Sequence, residues 1–425
     1  MPDWQAPGAV VVIGAGVVGV STAWELLGRG WEVTLLEAGD DVALATSYAN
    51  GGLLTRAMSD PWNAPGVHRS LFTALFGDNV SITVRASALP SLWSWGLRFM
   101  RSSTRLRHAA AVAASFRLAD YSLRKVRELS EATGLNFDQA SRGTLKIFRD
   151  RSSEETAVAL ANQMGAQGLR YEILDRSKTL EREPQLTGIR DNIKGSIYFP
   201  DDGCGDAYLY CVELAKRFCL AGGKLQTRIA VSRLLVHGSR ICGVETEQGV
   251  IDTQSVVLAA GNASRSLASP FGVALRIQPV KGYSLTIDLP SRVLLPRVPV
   301  IDRTAHGSVV PIGRNLRVVG GAEFVGHDLR LLPRHTRGLQ QLLRMIYPAI
   351  AAEVDYSSAK AWTALRPMSA DGLPYIGQTH VRGLLANTGH GHMGWTQAAG
   401  SAALLADLME DRVPALDPQP FRATR

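Results

Sequence analysis

The first forty residues alternate between apolar runs, a glycine-rich turn and an amphipathic stretch. Residues 9–13 form a run of small and β-branched apolar side chains, which is typical of a buried parallel strand. Residues 20–27 have helical character, and Gly28 and Gly30 close them. A second apolar run follows at residues 32–36. The pattern therefore predicts a strand, a turn, a helix and a second parallel strand.

The turn between this strand and this helix has glycines at Gly14, Gly16 and Gly19. Gly14 permits a tight turn, Gly16 lets the backbone approach a pyrophosphate, and Gly19 lets the helix pack on the strand. The helix N-terminus then faces the phosphates. Glu37 ends the second strand, where a carboxylate binds ribose hydroxyls and repels a 2′-phosphate, which disfavours NADP. A dinucleotide site is predicted, with a purely structural turn as the alternative, and FAD and NAD both stay open.

Two later segments indicate that the chain returns to the same sheet. Residues 249–253 lead into an apolar strand at 255–260, which ends in a turn of small residues. Near the C-terminus, a short strand at 383–387 precedes a glycine-rich turn and an Ala/Leu-rich helix at 396–409. A glycine-rich turn that opens a helix can receive an anion, such as the negative charge of a reduced flavin.

Composition places the chain among ordinary globular proteins. Its 425 residues correspond to two or three lobes at about 150 residues per domain. Hydrophobic residues make up 46% and charged residues 20%, which excludes a disordered or fibrous chain. The net charge of the chain is +8, but its basic residues are scattered along the sequence, which argues against binding to nucleic acid. It suits an anionic cofactor, a carboxylate substrate or an anionic membrane surface equally well.

Other functional classes find little support in the sequence. The four cysteines form no CxxC pair, so we predict free thiols and no metal site. The N-terminus lacks the features of a secretion signal, and no apolar run reaches the length of a membrane span, so a cytoplasmic location is predicted. HExxH, GxSxG and P-loop motifs are absent from the sequence. The sequence has no internal repeat, so a solenoid or scaffold protein is not indicated.

Taken in order, the motifs resemble the FAD-dependent amino-acid oxidoreductases of the D-amino-acid oxidase, glycine oxidase and sarcosine oxidase superfamily. Within it, the bacterial D-amino-acid dehydrogenases are the most similar branch. The resemblance covers nearly the whole chain. It is carried by residues 12–19, 47–52, 64–67, 143–145, 281–286, 320–323, 365–368, 371–374 and 387–391.

The resemblance implies an α/β fold with a Rossmann-like FAD-binding domain and an α+β substrate domain that contains a large mixed sheet. The FAD-binding domain is expected to be discontinuous, with segments 8–57, 200–270 and 355–415. The substrate domain is expected to take segments 58–199 and 271–354. Non-covalent FAD is the implied cofactor.

Cofactor contacts follow from the resemblance motif by motif. Gly14, Gly16 and Gly19 are expected at the pyrophosphate and Glu37 at the adenosine ribose. The remaining residues implied for FAD are Ser47, Asn50 and Gly51 at the isoalloxazine side, Val231 beside adenine, Gly261 at the phosphates, and Gly389, Gly391, Met393 and Gly394 at the pyrimidine edge.

Oxidation of an amino acid needs little acid–base chemistry from the protein, because a flavin takes the hydride from Cα at its N5 atom. The protein must bind the α-carboxylate, align Cα and exclude water. Arg366, before a proline turn, is a candidate for the carboxylate, with a structural ion pair as the alternative. Tyr283 is a second candidate, with a core role as the alternative. His390 is a third candidate, with a position above the flavin as one interpretation and a structural role in its own loop as the other.

Two departures from the family pattern bear on the substrate. Relatives often carry an arginine shortly before the strand at 320–323, and Ile312 falls at that position here. Either the substrate lacks a carboxylate at that point, or Arg314 or Arg366 binds it. Ala364 stands where relatives tend to have glycine, which narrows the pocket slightly.

The expected function is oxidative deamination of D-amino acids, including D-proline or a D-hydroxyproline-type imino acid. A quinone or respiratory-chain component is the expected electron acceptor. The alternatives are a glycine or sarcosine-type oxidase that uses oxygen, a nicotinamide-dependent dehydrogenase, and a flavin-binding protein without catalysis. The sequence is silent on the oligomeric state.

The segment 92–101 mixes aromatic residues with arginine at helical spacing, and Arg105 and Arg107 follow it. An amphipathic helix packed on its own domain is one interpretation. The other is a peripheral membrane surface, at the cytoplasmic face of the inner membrane, where electrons pass to a quinone.

Overall fold

The computed structural model describes residues 8–67, 82–85 and 89–425 and is built around two main sheets. Its strands in these ranges are β1 (Ala9–Ile13), β2 (Glu32–Leu36), β3 (Leu53–Leu54), β4 (Ile82–Val84), β5 (Thr144–Phe148), β6 (Glu172–Leu174), β7 (Gly195–Phe199), β8 (Gly203–Cys204), β9 (Lys224–Gln226), β10 (Val231–His237), β11 (Arg240–Thr246), β12 (Gly249–Asp252), β13 (Val256–Leu258), β14 (Ile277–Asp288), β15 (Val300–Asp302), β16 (Gly307–Ile312), β17 (Asn315–Phe324), β18 (Lys360–Ser369), β19 (Tyr375–Gln378) and β20 (Leu384–Thr388).

The same ranges contain α-helices and short 3₁₀ turns. The α-helices are α1 (Val17–Gly28), α2 (Leu89–Ser102), α3 (Arg105–Thr133), α4 (Arg151–Gly165), α5 (Arg176–Arg182), α6 (Ala207–Leu220), α7 (Ala263–Ala268), α8 (Pro333–Ile346), α9 (Pro348–Glu353) and α10 (Gly394–Met409). The 3₁₀ segments are Pro184–Asn192, Ser269–Phe271, Gly391–Met393 and Gln419–Phe421.

The first sheet has six strands in the order β19-β20-β13-β1-β2-β9. β1 runs parallel to β2 and β13, and β13 runs parallel to β20. Helices α1, α3, α6 and α10 share one apolar cluster with this sheet. The carboxyl ends of β1, β2, β13 and β20 therefore lie at one edge, which is where open parallel sheets bind ligands.

The second sheet is mixed and larger, in the order β18-β14-β17-β16-β15-β5-β7-β6, with β4 paired to β17. Helices α8 and α9 cover one of its faces, where residues of β14 and β17 join a large apolar cluster. Helix α2 packs near β4, β14 and β17 in a smaller cluster. A separate antiparallel sheet, β10-β11-β12, packs beside the first sheet.

The predicted fold class matches these two sheets. The predicted domain segments cut across two elements. β18 lies in the segment 355–415 but pairs along its whole length with β14 of the large sheet. Helix α3 lies in the segment 58–199 but shares its apolar cluster with α1 and α10. Strand pairing and helix docking join residues far apart in sequence, so local apolar patterns do not reveal them.

The part of the chain that the structure describes contains neither a membrane-spanning helix nor a cluster of metal-binding side chains. None of its helices combines the length and the apolar character needed to cross a bilayer. None of its His, Cys, Asp and Glu side chains gather in a group that could hold a metal ion. All four cysteines are free thiols, and Cys219 and Cys242 are exposed.

Candidate active site

The turn after β1 leaves no room for side chains at two glycines. Gly14 has φ +99°, and a Cβ there would lie 2.8 Å from the Ala260 Cα atom. A Cβ on Gly19 would lie 1.7 Å from the Gly14 carbonyl oxygen, so the first turn of α1 packs directly on the strand. Both close approaches require glycine, as the sequence pattern predicts.

Glu37 lies beside this turn at the carboxyl end of β2. Its carboxylate accepts hydrogen bonds from the Ala15 amide at 2.7 Å and the Gly39 amide at 2.9 Å. Helix α1 begins after its N-cap residue, Gly16, and no side chain caps the N-terminus of the helix. The first amide groups of α1, except that of Val17, are therefore free to bind an anion.

The predicted isoalloxazine segment lies between the two sheets. Ser47 Oγ accepts from the Val17 amide at 3.0 Å, so this loop is tied to the start of α1. The Asn50 side chain accepts from the Gly52 amide at 2.9 Å, which shapes the turn. A Cβ on Gly51 would lie 3.5 Å from Val319 of β17. The loop therefore contacts the large sheet on one side and the first sheet on the other.

The third part of this edge is the turn before α10. Thr388 donates its hydroxyl to the Gly261 carbonyl at 3.1 Å, which joins the ends of β20 and β13. Gly389 and Gly391 have φ +80° and +58°, so the backbone adopts left-handed conformations there. Helix α10 begins at Gly394, after the buried Met393, with no side-chain cap and no acidic residue in its first turn.

These features fit FAD. The glycine cradle, the Glu37 carboxylate and two uncapped helix N-termini face one edge of the sheet. The chain that precedes Val231 runs beside Glu37, because the Ile229 amide donates to the Glu37 carbonyl at 2.9 Å. Val231 itself is half buried at the start of β10, and its contact with adenine stays a prediction.

Arg366 is a half-buried cation without an anionic partner in the part of the chain described. It lies on β18 opposite Val280, and its guanidinium covers Gly282, where a Cβ would come within 2.4 Å of both terminal nitrogens. Nη1 donates to the Gly321 carbonyl at 3.0 Å. Burial lowers the pKa of Arg366 to about 10, so it stays charged at neutral pH. A buried charge of this kind favours binding an anion.

The guanidinium lies on the face of the large sheet that meets the isoalloxazine segment. Gly282 and Ser284 are two residues apart on β14, so they lie on the same face of the sheet. Ser284 pairs with Val319 of β17, and the Val319 side chain lies beside Gly51. Arg366 and the loop at 47–52 are therefore on the same side of the sheet.

Tyr283 points to the opposite face, because neighbouring residues of a strand alternate. Its ring stacks on His335 of α8 with the centroids 4.0 Å apart. Burial and the nearby Glu323 carboxylate raise the pKa of Tyr283 well above its usual value. Among the described residues, no side chain or backbone group forms a hydrogen bond of ordinary geometry with its hydroxyl, although the Glu323 carboxylate is near. The structure thus does not bring Tyr283 together with the loop at 47–52, and this placement gives no support to a carboxylate contact.

The two histidines of the last turn differ in their surroundings. His390 lies in the core, where its Nε2 meets the Ser401 hydroxyl at 3.1 Å, and burial lowers its pKa to about 3. This position agrees with a bracing role. His392, for which the sequence pattern predicts no role, is partly exposed and stacks on Trp62 with the centroids 5.6 Å apart. Its Nε2 lies 3.0 Å from the Met58 carbonyl oxygen.

His392 belongs to the same electrostatic environment as Arg366. Burial lowers the pKa of His392, the Asp60 carboxylate opposes this shift, and the Arg366 charge adds to it. The sequence gives no signal for this residue, because the backbone of the glycine-rich turn decides where each histidine points.

Ile312 and Arg314, the residues at the position where this chain departs from the family pattern, both lie away from the Arg366 guanidinium. Arg314 is exposed in the turn between β16 and β17, away from Arg366. Ile312 is buried, and its side chain fills the space beside Gly52. The buried arginine of this region is Arg317, which donates to the Asn50 carbonyl at 2.9 Å and pairs with Asp206 at 3.1 Å. Arg317 already has an anionic partner, whereas Arg366 has none among the described residues.

Comparison with known proteins gives one family and a consistent set of relatives. The family model described as FAD dependent oxidoreductase, DAO, matches residues 9–408. A D-amino acid dehydrogenase of Rhizobium rhizogenes (strain K84) is 36% identical over 410 residues, which cover 96% of this chain and 97% of the relative. A D-amino acid dehydrogenase of Phenylobacterium zucineum is 36% identical over 408 residues, with 96% and 95% covered.

Solved structures with the same fold support the architecture. Glycine oxidase from Geobacillus kaustophilus superposes with a TM-score of 0.76 at 24% identity, over 98% of each chain. L-proline dehydrogenase from P. horikoshii superposes with a TM-score of 0.78 at 19% identity, over 99% of this chain and 98% of that one. The predicted Rossmann-like domain with a second domain on a large mixed sheet is confirmed.

Proposed function

The chain belongs to the DAO family of FAD-dependent oxidoreductases, and from that premise we propose that it oxidises free D-amino acids to imino acids. It is an oxidoreductase with FAD as its cofactor, as its motifs predict, which removes the nicotinamide alternative. Its curated relatives at about 36% identity are named D-amino acid dehydrogenases, which supports amino-acid oxidation. The D configuration and the side chain are parts of the proposal.

One observation carries the choice of a carboxylate-bearing substrate. Arg366 lies half-buried on the face that meets the isoalloxazine segment and has no carboxylate partner among the described residues. A guanidinium forms two parallel hydrogen bonds to a carboxylate, which fix both the position and the orientation of the substrate. Arg366 would therefore hold the α-carboxylate, while Trp62 and Ala364 bound the space for the side chain.

The bound FAD supplies the hydride acceptor for the Cα hydrogen. His392 acts on the other polar group of the substrate. It donates Nε2–H to the Met58 carbonyl, so its Nδ1 is the unprotonated nitrogen, and burial keeps the imidazole neutral by lowering its pKa. Nδ1 can accept a hydrogen bond from the substrate amino group. Arg366 and His392 together would orient the carboxylate and the amine.

We infer that the electron acceptor is a quinone or another respiratory-chain component rather than oxygen. The support is the name shared by the curated relatives, which are dehydrogenases. A glycine or sarcosine-type oxidase is the second candidate, since a glycine oxidase has the same fold. The two candidates differ in the rate at which the reduced protein reacts with air.

The test is an anaerobic titration of the purified yellow protein, followed by admission of air. The panel contains D-alanine, D-phenylalanine, D-proline and cis-4-hydroxy-D-proline, their L enantiomers, glycine and sarcosine. We expect the D compounds to bleach the absorbance near 450 nm and the L compounds to leave it unchanged. We expect the colour to return slowly in air and quickly with a soluble quinone.

Three results would contradict the proposal. Bleaching by L enantiomers alone would reverse the stereochemistry, and bleaching by glycine or sarcosine with fast recolouring in air would make the protein an oxidase. A yellow protein that none of these compounds bleaches would leave the FAD site standing and remove amino acids as substrates.

A further inference from the structure

The pairing between β14 and β17 contains an irregularity beside Arg366. The single residue Gly282 on β14 lies opposite two residues of β17, Gly321 and Ala322. An extra residue on one strand makes a β-bulge, in which that residue is left without a partner and the strand bends. Gly321 has φ +78°, a left-handed conformation that favours glycine. These three residues are called the β14/β17 bulge below.

The bulge supplies the group that holds the Arg366 guanidinium. The Gly321 carbonyl accepts a hydrogen bond from Nη1 of Arg366 at 3.0 Å. The guanidinium also covers Gly282, where a Cβ would lie 2.4 Å from both terminal nitrogens. Because Gly321 is out of the regular pairing with β14, the direction of its carbonyl follows from the bulge. The orientation of Arg366 therefore depends on the conformation of the bulge.

The Tyr283 ring packs on the bulge from the opposite face of the sheet. A Cβ on Gly321 would lie 2.5 Å from one ring carbon of Tyr283 and 2.7 Å from the next. The ring thus occupies the space that a side chain at position 321 would need, and it contacts the Gly321 backbone directly. Rotation of the Gly321 peptide would have to displace this ring. Tyr283 on one face and Arg366 on the other therefore hold the same peptide.

Neighbouring side chains hold the Tyr283 ring in turn. It stacks on His335 of α8 with the centroids 4.0 Å apart and an angle of 22° between the planes. The Leu332 amide donates to His335 Nδ1 at 3.1 Å, so Nε2 carries the proton, and Nε2 lies 3.4 Å from the Glu323 carboxylate. Glu323 is the residue of β17 that follows the bulge. The ring is therefore held between α8 and the strand that contains the bulge.

We propose that Tyr283 is a positioning residue for the substrate carboxylate, because its ring holds the β14/β17 bulge in the conformation in which the Gly321 carbonyl orients Arg366. This inference rests on the proposed function, in which Arg366 binds the carboxylate. It assigns the role to the ring of Tyr283 and not to its hydroxyl. No group among the described residues forms a hydrogen bond of ordinary geometry with that hydroxyl.

The test measures how tightly the FAD-loaded protein binds benzoate, a carboxylate without an amino group, through the change in flavin absorbance. Tyr283→Leu removes the ring and Tyr283→Phe keeps it. Gly321→Ala places a Cβ against the ring and changes the bulge from the other strand. The matched control is Tyr347→Leu, because Tyr347 at the end of α8 is 0% exposed and belongs to the same apolar cluster as Tyr283.

We expect Tyr283→Leu and Gly321→Ala to bind benzoate about ten- to a hundredfold more weakly than the wild type, the range expected when a binding group moves by about 1 Å. Tyr283→Phe and Tyr347→Leu should stay within about twofold. Tyr283→Leu and Tyr347→Leu should both melt below the wild type, because each removes a buried ring. A general loss of packing would therefore not explain a difference in benzoate binding between these two variants.

Stopped-flow reduction separates binding from the chemical step. Tyr283→Leu should weaken the binding of D-phenylalanine by the same factor as that of benzoate. Reduction by 2-phenylethylamine, which has no carboxylate, should change less than about threefold, because the bulge acts through Arg366.

Equal losses in Tyr283→Phe and Tyr283→Leu would assign the role to the hydroxyl and overturn the proposal. Unchanged benzoate binding in Tyr283→Leu would also overturn it, because Tyr283 would then be a core residue like Tyr347. If Tyr283→Leu does not fold, Gly321→Ala decides, and benzoate binding as tight as in the wild type would count against the proposal. A wild type that binds neither benzoate nor any amino acid would instead refute the proposed function, and this inference with it.

Discussion

Replacement of Arg366 by glutamine should lower the rate of amino-acid oxidation without lowering the unfolding temperature. The pKa of Arg366 is lowered by burial from 12.5 to about 10, which corresponds to about 3 kcal/mol of unfavourable desolvation for the charged side chain. Among the described residues, its guanidinium donates to the Gly321 carbonyl. We therefore expect Arg366→Gln to unfold at the same temperature as the wild type or a few degrees higher.

The activity lost should depend on whether the substrate has a carboxylate. Truncating one partner of a buried, hydrogen-bonded charge pair costs about 2 to 5 kcal/mol, or roughly 30- to several thousand-fold. Anaerobic stopped-flow reduction with D-phenylalanine should slow by at least a hundredfold in kcat/KM for Arg366→Gln. Arg366→Lys keeps the charge but loses the paired geometry, so about tenfold is expected. The same reaction with 2-phenylethylamine, which lacks the carboxylate, should change less than threefold.

Arg317 provides the contrast, because it is buried in the same region but has an anion. Arg317→Gln leaves the Asp206 carboxylate without its partner, and such a change costs about 3 to 5 kcal/mol. Its melting temperature should fall clearly. If Arg366→Gln melts as low as Arg317→Gln, or if reduction by the amine and by the amino acid slows by the same factor, Arg366 does not bind the substrate carboxylate as proposed.

Three further measurements test other parts of the structure. Gly19→Ala should purify with less than a tenth of the wild-type flavin, read as the ratio of absorbance at 450 and 280 nm, because its Cβ meets the Gly14 carbonyl; Gly28→Ala, which has open space, should keep its flavin. Burial would raise the pKa of Asp371, but Arg425 holds it below the usual value, so this pair stabilises the fold above about pH 4 and not below. Arg425→Met should therefore melt below the wild type at pH 7 and converge with it toward pH 3. Ellman's reagent should modify two thiols in the native protein and four after denaturation, because two of the four cysteines are buried.

The sequence predicts those parts of the site that depend on local chain geometry. The turn at Gly14 and Gly19 and the carboxylate of Glu37 are local to one βαβ unit, and the structure has the close contacts that the pattern requires. Arg366 is identified through a family motif rather than a pattern, and its lack of an anionic partner is visible in three dimensions alone.

The remaining site residues depend on which way a strand or a turn faces. Tyr283 is the neighbour of Gly282 on β14, so the two residues face opposite sides of the sheet, and the register shift against β17 beside them cannot be read from the sequence. His390 and His392 are two residues apart in a turn with left-handed glycines, and the first points into the core while the second lies beside Trp62. No apolar period determines such directions in a sequence, because they depend on packing against distant elements.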